Sequence, residues 1–464
     1  MVMDRRSTCV EAVEDAIRAM DTFDRHVHAT ISRRDEPALR EAAGADRLAM
    51  EGHRPLPLSG TTVGFKDNVD VAGMRTTAGS PLHGKTPALS SAPVVTRLRR
   101  AGSIVVAKHN MSELAIGADT QNRLFGPCRN PLALDVIPGG SSGGSAVAVS
   151  LGMCTVGLAT DTAGSIRIPA AAVGVVGLRP SPGLIPTAGV VPVSYSFDTV
   201  GPLARTVDDL ARFFFALTDG RVRKPVGGLG SARSAQSGGD LAGVRIGVAE
   251  GRFFESNVDA GILDTVARSL ELLAGRGAEL VPVRIPLAVS ASTAVRTLVL
   301  HQAASYYREQ MEASPEEFHP RILARLHWGS QRSGADVARA MRWCELFVDC
   351  LTALFRRVDF VVSPTLPIEA PAVDQLSDEG LVDLTRFTYP WSAWNGPTIS
   401  LPCGASGERA LPVGLQVTAP RFSEAALFRL ARVIEMHQHL DPGPSRLASH
   451  WPKGEVPWDG RRWL

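Results

Sequence analysis

The stretch "PGGSSGGSAVAVSLGMCTVGLATDTAGSIRIPA", residues 138–170, decides the fold. It holds two turns rich in glycine and serine, at 138–146 and 161–170, joined by an apolar run. Glycine permits positive φ and serine hydrogen-bonds to nearby backbone, so either turn alone indicates only a turn. The apolar residues 146–160 predict a buried helix followed by a buried strand. Two hydroxyls would then meet inside the protein, where a buried hydroxyl needs a partner.

The segments around this stretch alternate between helix and strand patterns. Residues 93–108 predict a short helix, a stop at Gly102 and a β-branched strand. Helical spacing near the N-terminus places Val10, Val13 and Ile17 on one face, with Ser7 as the cap. Further strands and helices are predicted at 244–249, 263–275, 358–362 and 424–436. Together, these patterns predict an α/β protein with a mixed sheet covered by helices.

The 464 residues are predicted to form a single domain, 1–464. The segment 220–243 is rich in glycine, serine and basic residues, and we expect a surface loop there because a strand pattern resumes at Val244. A content of 44% hydrophobic and 21% charged residues is typical of a globular protein.

Charge and cysteine usage exclude several kinds of partner. Lysine and arginine total 49 against 47 acidic residues, a net charge of +2, so no nucleic-acid partner is expected. No run reaches the ~18 apolar residues of a membrane span, and the N-terminus lacks the apolar core of a secretion signal. The six cysteines form no CxxC pair and no metal-ligand spacing with histidine. We therefore expect a cytoplasmic protein with reduced thiols, no metal, no other cofactor and no membrane partner.

A third element lies upstream, in "GTTVGFKDNVDVAGMRTTAGS", residues 60–80, where Lys66 follows an apolar strand pattern. Alone, such a lysine indicates only a charged residue at a strand end. Amide hydrolysis, however, needs an activated nucleophile, an oxyanion hole and a proton for the leaving nitrogen. A lysine held neutral by burial can serve as the base, because desolvation lowers its pKa from ~10.4. Lys66 and the two serine turns together are therefore consistent with a serine nucleophile that a neutral lysine activates.

The sequence resembles the amidase signature family, in which the catalytic group is a Ser-cisSer-Lys triad. Six motifs carry the resemblance in family order: "GFKDNVDVAGMRTTAGS", "KHNMSEL", "FGPCRNP", "PGGSSGGSA", "DTAGSIRIPAAAVGVVGLRPS" and "SFDTVGPLARTVDDL". The match covers most of the chain, with a signature core at about 55–210. It implies a large mixed, twisted β-sheet sandwiched between α-helices, and an amidohydrolase that cleaves the C–N bond of a small-molecule amide.

The resemblance also implies roles for single residues. Ser165 becomes the acylated nucleophile, Lys66 the base, and Ser141 the bridging serine, in a cis peptide after Gly140. Family spacing selects Ser141 over Ser142, which becomes a supporting hydroxyl.

The same resemblance places the oxyanion hole in the backbone N–H groups of Thr162, Ala163, Gly164 and Ser165. Ala163 departs from the family, which has glycine there, and its methyl group is tolerated only if φ is negative. Asp161 and Arg167 bracket this loop, and the resemblance gives them a supporting, structural role.

The C-terminal half is expected to shape the substrate pocket. In "FTYPWSAWNGP", residues 387–397, Tyr389, Trp391 and Trp394 beside Asn395 are candidates for its lining, although core packing explains the aromatics equally well. The natural amide stays open, and a homo-oligomer is also open.

Three other functions compete with this interpretation. "GSSGG", residues 140–144, fits a nucleophile elbow, with His301, His327 or His437 as the base, but leaves Lys66 and Ser165 unexplained. The family also includes the glutaminase subunit of tRNA-dependent amidotransferases, whose serine-rich run is missing from 300–329. A non-catalytic binding relative would usually lose a triad residue, and none is lost here.

Overall fold

The computed structural model describes residues 8–218, 240–436 and Trp451. Most of the predicted loop 220–243 lies outside the described residues, which resume at 240. The strands are β1 Thr30–Arg33, β2 Thr62–Lys66, β3 Ile104–His109, β4 Gln121–Asn122, β5 Gly126–Pro127, β6 Val156–Asp161, β7 Val176–Arg179, β8 Thr199–Ala204, β9 Arg245–Glu250, β10 Glu279–Arg284, β11 Phe360–Pro364, β12 Thr398–Ser406 and β13 Leu411–Thr418.

Eleven of these strands form one mixed sheet in the order β1-β3-β2-β6-β8-β7-β12-β13-β11-β9-β10. The neighbours β3, β2 and β6 are parallel, as are β11, β9 and β10, whereas the pairs between these groups are antiparallel. β4 and β5 form a separate small hairpin.

Helices pack around this sheet. They are α1 Cys9–Val27, α2 Asp35–Met50, α3 Pro93–Arg100, α4 Gly143–Ser150, α5 Arg167–Val173, α6 Val207–Thr218, α7 Arg252–Glu255, α8 Ala260–Gly275, α9 Ala288–Tyr306, α10 Arg308–Ala313, α11 Pro320–Ser330, α12 Gly334–Leu354, α13 Asp378–Thr385, α14 Tyr389–Trp394 and α15 Glu424–Met436. No helix in the described ranges is both long and apolar enough to traverse a lipid bilayer. The predicted α/β fold with a large mixed sheet between helices is confirmed.

The decisive stretch folds as predicted, into buried helix α4 followed by buried strand β6. The helix and strand predicted at 93–108 are confirmed as well, with Gly102 at φ +98° between them. The first helix differs at its cap, which is Thr8 rather than Ser7. Thr8 accepts from the N–H of Glu11, and the Glu11 carboxylate accepts from the N–H of Thr8, so both groups are satisfied.

Sheet order explains how distant segments meet. β2 and β6 are parallel neighbours, so their carboxyl ends lie at the same edge, with Lys66 ending β2 and Asp161 ending β6. Both strands are buried along their whole length. A polar residue at the carboxyl end of β2 or β6 therefore lies at this edge of the sheet, in the protein interior.

Candidate active site

Lys66 is the centre of a hydrogen-bonded cluster inside the protein. Its side chain is fully buried, and its Nζ lies 2.7 Å from Ser141 Oγ and 2.9 Å from Thr160 Oγ1. Asn68 Nδ2 also donates to Thr160 Oγ1, at 3.1 Å. The structure thus brings Lys66 and Ser141 together, as predicted, and adds Thr160 as a second partner of the amine.

Burial sets the proton affinity of this amine. Desolvation lowers the pKa of Lys66 to about 7, against the opposing influence of the charges on Asp198 and Asp161. Near neutral pH, Lys66 is therefore uncharged in roughly half of the molecules. An uncharged amine can accept a proton from Ser141 Oγ.

Ser141 enters the site from the turn before α4. The Gly140–Ser141 peptide is cis, as the sequence predicted, and the Ser141 carbonyl accepts from the N–H of Ser112 at 3.1 Å. A Cβ at Gly140 would lie 2.7 Å from the backbone nitrogen of Asp119, so only glycine fits. Ser142 donates from its Oγ to the Thr160 carbonyl at 3.2 Å, which connects the turn to β6.

Asp161 organises the loop that carries Ser165. One carboxylate oxygen accepts from the N–H of Gly164 at 2.8 Å, and the other accepts from the N–H of Ile166 at 3.2 Å. Burial alone would raise the pKa of Asp161, but the charges of Arg167 and Arg179 hold it well below its usual range. The carboxylate is therefore permanently charged and fixes the loop.

The alanine that departs from the family pattern fits without strain. Ala163 is not among the described residues with positive φ, and Gly164 takes the left-handed conformation instead, at φ +132°. A Cβ at Gly164 would overlap Thr388 Oγ1, whose hydroxyl donates to the Ala163 carbonyl at 2.6 Å. The condition set for Ala163 by the sequence is thus met.

The predicted oxyanion donors divide into two groups. The N–H of Gly164 is occupied by Asp161, so this residue serves the loop through its conformation and not as a free donor. Within the described ranges, no hydrogen-bond partner takes the N–H of Thr162, Ala163 or Ser165. These three residues also line the cavity that contains Ser165.

Arg167 is held by groups from the second half of the chain. Its Nε lies 3.0 Å from Asp161 Oδ2, and its Nη1 donates to the Thr388 carbonyl at 2.9 Å and to Gln416 Oε1 at 3.0 Å. Its Nη2 donates to Ser392 Oγ at 2.9 Å. The guanidinium is fully buried, and each of its nitrogens donates a hydrogen bond.

A cavity of about 250 Å³ opens on this loop. Gly140 and Ser165 both lie on its wall, so the turn bearing Ser141 and the predicted nucleophile border the same space. The wall also includes residues of 115–118, of α9 and α11, and of α13 with the turn that connects it to α14. Its apolar members are Ala115, Ile116, Ala118, Ile168, Val193, Val299, Leu300, Leu381, Val382 and Tyr389.

The aromatic pair predicted to line the pocket lies elsewhere. Trp391 and Trp394 are buried in the core, where Trp394 stacks on Phe355 and donates to the Ala419 carbonyl at 3.0 Å. Asn395 ends α14 in a left-handed conformation and accepts from Arg179 at 3.3 Å. Of the three aromatic candidates in this segment, only Tyr389 lines the cavity. The two tryptophans are buried where α14 packs against α9 and α12.

The residues that the sequence did not single out are Thr160 and Asn68. Both look like ordinary polar residues near strand ends, and only the neighbouring positions of β2 and β6 make them partners of the lysine.

Of the alternative histidine bases, neither His301 nor His327 borders this cavity. His301 contacts the Gly329 carbonyl at 3.2 Å and shares a separate groove with His327, and His437 lies outside the described residues. His109 is in register with Lys66 on β3, but burial lowers its pKa to about 3 and it faces Ser145 Oγ at 3.1 Å. Across the described ranges no cluster of three histidine, cysteine or acidic side chains could hold a metal ion.

Comparison with known proteins agrees with this geometry. The sequence profile of the family described as Amidase matches residues 11–428. A glutamyl-tRNA(Gln) amidotransferase subunit from Koribacter versatilis is 31% identical, over 94% of this chain and 96% of that protein. The crystal structure of an amidase is 31% identical with a TM-score of 0.83, over 94% and 97% of the two chains. The peptide amidase from Stenotrophomonas maltophilia is 27% identical with a TM-score of 0.76, over 94% and 96%.

Enzymes of this group act on carbon–nitrogen bonds of amides, the chemistry expected from the six motifs. The family match spans nearly the whole chain and the fold agrees with solved members over the same length. This chain is a member of the amidase signature family.

Proposed function

We propose that this chain hydrolyses small linear amides through an acyl-enzyme on Ser165, with Ser141 and Lys66 as the proton relay. The observation that carries the proposal is the 2.7 Å contact of Lys66 Nζ with Ser141 Oγ in a fully buried setting. An amine with a pKa of about 7 is well matched to general base catalysis near neutral pH. The likeness to an amidase and to a peptide amidase supports a linear amide as the substrate.

Acylation proceeds by attack of Ser165 Oγ on the amide carbonyl carbon, while the carbonyl electron pair moves to oxygen. The Ser165 proton passes to Ser141 Oγ as the Ser141 proton passes to Lys66 Nζ. The C–N bond then breaks, and the relay returns the proton to the leaving nitrogen. Water repeats the sequence on the ester, which releases the carboxylic acid and restores Ser165.

The negative oxygen of the tetrahedral intermediate is stabilised by N–H groups of the Asp161-fixed loop. Thr162, Ala163 and Ser165 are the proposed donors, because all three line the cavity and none of their N–H groups is taken by another described residue. Such preorganised donors typically contribute ~2.7–4 kcal/mol each to transition-state stabilisation.

A glutaminase subunit of an amidotransferase is the second candidate. The name of the full-length relative from Koribacter versatilis favours it, since that relative and this chain match over nearly their entire lengths. In this case a partner protein is required, and the ammonia released from glutamine passes to it.

The proposal is tested by labelling and turnover of the purified chain. We expect a fluorophosphonate to label the wild type but not Ser165→Ala, and the chain alone to release ammonia from simple primary amides. Ser145→Ala is the matched control, because its hydroxyl contacts His109 outside the relay. Near-normal turnover by Lys66→Ala would refute the relay, and glutamine hydrolysis that appears only with an added partner protein would favour the second candidate.

A further inference from the structure

The charged residues of the cavity wall are unbalanced. Among the described lining residues, Arg296, Arg325 and Arg386 carry positive charge and only Asp383 carries negative charge. Arginine stays protonated at any physiological pH, so this excess cannot be relieved by loss of a proton. Among the described lining residues, positive charge therefore exceeds negative charge.

Arg296 and Arg386 are held by aromatic rings and, in the case of Arg386, by a backbone carbonyl. The Arg296 guanidinium lies 5.0 Å from the centre of the Trp328 ring. Arg386 lies 4.6 Å from the centre of the Phe387 ring and donates from Nη2 to the Asn257 carbonyl at 3.2 Å. Aromatic faces orient a guanidinium without neutralising it, which leaves its charge available to a ligand.

Other arginines, whether buried like Arg167 or partly exposed like Arg245 and Arg321, pair with carboxylates. Arg167 pairs with Asp161 at 3.0 Å, Arg321 with Asp119 at 3.0 Å, and Arg245 with Asp359 at 3.1 Å.

By contrast, no ion pair with a described residue involves Arg296 or Arg386. The buried Nε of Arg386 also has no hydrogen-bond partner in that part of the chain. A buried donor without a partner is costly, and a ligand acceptor would remove that cost.

We propose that the cavity selects amides that carry a carboxylate, with Arg296 and Arg386 as the anion-binding side chains. This inference rests on the proposed function and deepens it by naming the substrate class. Arginine matches a carboxylate with paired, charge-assisted hydrogen bonds. A cavity of about 250 Å³ suits a short chain with an amide at one end and a carboxylate at the other. The zwitterion glutamine fits less well, because its ammonium group would meet the same positive excess.

The test compares three amides of similar length: glutaramate, an anion; pentanamide, neutral; and glutamine, a zwitterion. Hydrolysis is followed by ammonia release in the wild type, and binding by calorimetry in the folded Ser165→Ala variant. We expect kcat/KM and affinity for glutaramate to exceed those for pentanamide and glutamine by at least ~10-fold, which is ~1.4 kcal/mol.

Two variants locate the selectivity. Arg296→Gln and Arg386→Gln are each expected to lower kcat/KM for glutaramate by ~10-fold or more, mostly through KM, and to leave pentanamide nearly unchanged. Arg332→Gln is the matched control: its guanidinium also stacks on Trp328, at 4.3 Å, but it does not line the cavity. Raised salt should reduce the preference for glutaramate, since charge attraction is screened.

The outcomes separate the two proposals. Equal binding of glutaramate and pentanamide, or tighter binding of glutamine, overturns the anion selectivity whether or not amides are hydrolysed. Selective binding of glutaramate that disappears in Arg296→Gln and Arg386→Gln supports the site. If that binding is present but no amide is hydrolysed and Ser165 resists labelling, the proposed hydrolase function fails while the anion site stands.

Discussion

Two buried lysines, one strand apart, show how the same side chain acquires opposite roles. Lys66 ends β2 and Lys108 lies near the end of β3, its parallel neighbour, and both side chains are inaccessible to solvent. Lys108 Nζ lies 2.9 Å from Asp67 Oδ1 and donates to Thr76 Oγ1 at 3.1 Å. Lys66, in contrast, touches the hydroxyls of Ser141 and Thr160, and no described carboxylate lies within ion-pair distance of it.

The partner of each lysine explains the difference. Burial lowers the pKa of both amines, but Asp67 opposes this effect at Lys108, where a carboxylate in contact stabilises the ammonium form. Hydroxyls stabilise the charged form of Lys66 much less. The charged pair is therefore structural, and the amine surrounded by hydroxyls is the one able to exchange a proton.

The largest expected effect comes from removing each lysine in turn. Lys66→Met should lower kcat by ~10²–10⁴-fold, the usual contribution of a general base, without loss of folding. Lys108→Met should retain far more activity per folded molecule. The measurement is steady-state turnover, normalised to the folded fraction from circular dichroism. A loss of kcat in folded Lys108→Met as large as in Lys66→Met would end the distinction.

Stability should show the reverse order. Lys108→Met leaves the Asp67 carboxylate buried and unpaired, so we expect a loss of ~3–5 kcal/mol in the free energy of unfolding. The double variant Lys108→Met/Asp67→Asn should recover part of this loss, because it removes the uncompensated charge. Urea denaturation measures both, and the lack of any recovery would contradict a role for the charge pair.

The pH dependence of activity should follow Lys66. Because its uncharged form is the base, kcat/KM should rise about tenfold per pH unit below a pKa of about 7 and level off above it. The profile is read with a neutral amide, whose own charge is constant. A profile that is flat between pH 5 and 8 would contradict the assignment of Lys66.

Stability should also depend on this group, with a defined sign. The pKa of Lys66 is about 7 in the folded protein and near 10.5 in the unfolded chain, so the unfolded state binds more protons between these values. Its contribution to stability should therefore rise with pH across that window. Comparison of urea denaturation for the wild type and Lys66→Met at pH 6.5 and pH 9.5 isolates it. The wild type should gain relative to the variant at the higher pH, and the opposite change would contradict the direction of the shift.

The smallest effect is expected at Thr160. Thr160→Val removes one hydroxyl partner of Lys66 and keeps the shape of the side chain, so we expect a loss of kcat of about tenfold, the ~1.4 kcal/mol typical of one hydrogen bond. Thr62→Val on β2 is the control, because its hydroxyl pairs with Thr155 away from the relay. Equal losses of kcat in the two variants would contradict a role for the Thr160 hydroxyl in the function of Lys66.

The sequence predicted those parts of the molecule whose pattern is local. The apolar run before Asp161 predicts α4 and β6, and the glycine–serine turns with Lys66 predict the hydroxyl and amine chemistry. The roles given to single residues follow from the family resemblance. Two of the features that the resemblance implies are present in the structure: the contact of Lys66 with Ser141, and the cis peptide before Ser141.

What depends on distant neighbours was not predictable from the pattern. Thr160 is one buried threonine among several, and only the pairing of β6 with β2 makes it a partner of Lys66. The N–H of Gly164 is not available to an oxyanion, because it donates to the Asp161 carboxylate. The aromatic segment shows the same limit. Both a cavity wall and a core bury aromatic surface, so the sequence could not tell that Trp391 and Trp394 belong to the core.

Arg167 has a consequence for how such enzymes can be recombined. Its guanidinium reaches from the helix after Ser165 to Thr388, Ser392 and Gln416, all contributed by the last quarter of the chain. A chimera that grafts the C-terminal half of one relative onto the first half of another must preserve these three acceptors. Without them, Asp161 would still pair with the guanidinium, but the N–H groups that face these acceptors would be buried without partners next to Ser165. Such a graft would disturb the Ser165 loop, whatever specificity it was meant to introduce.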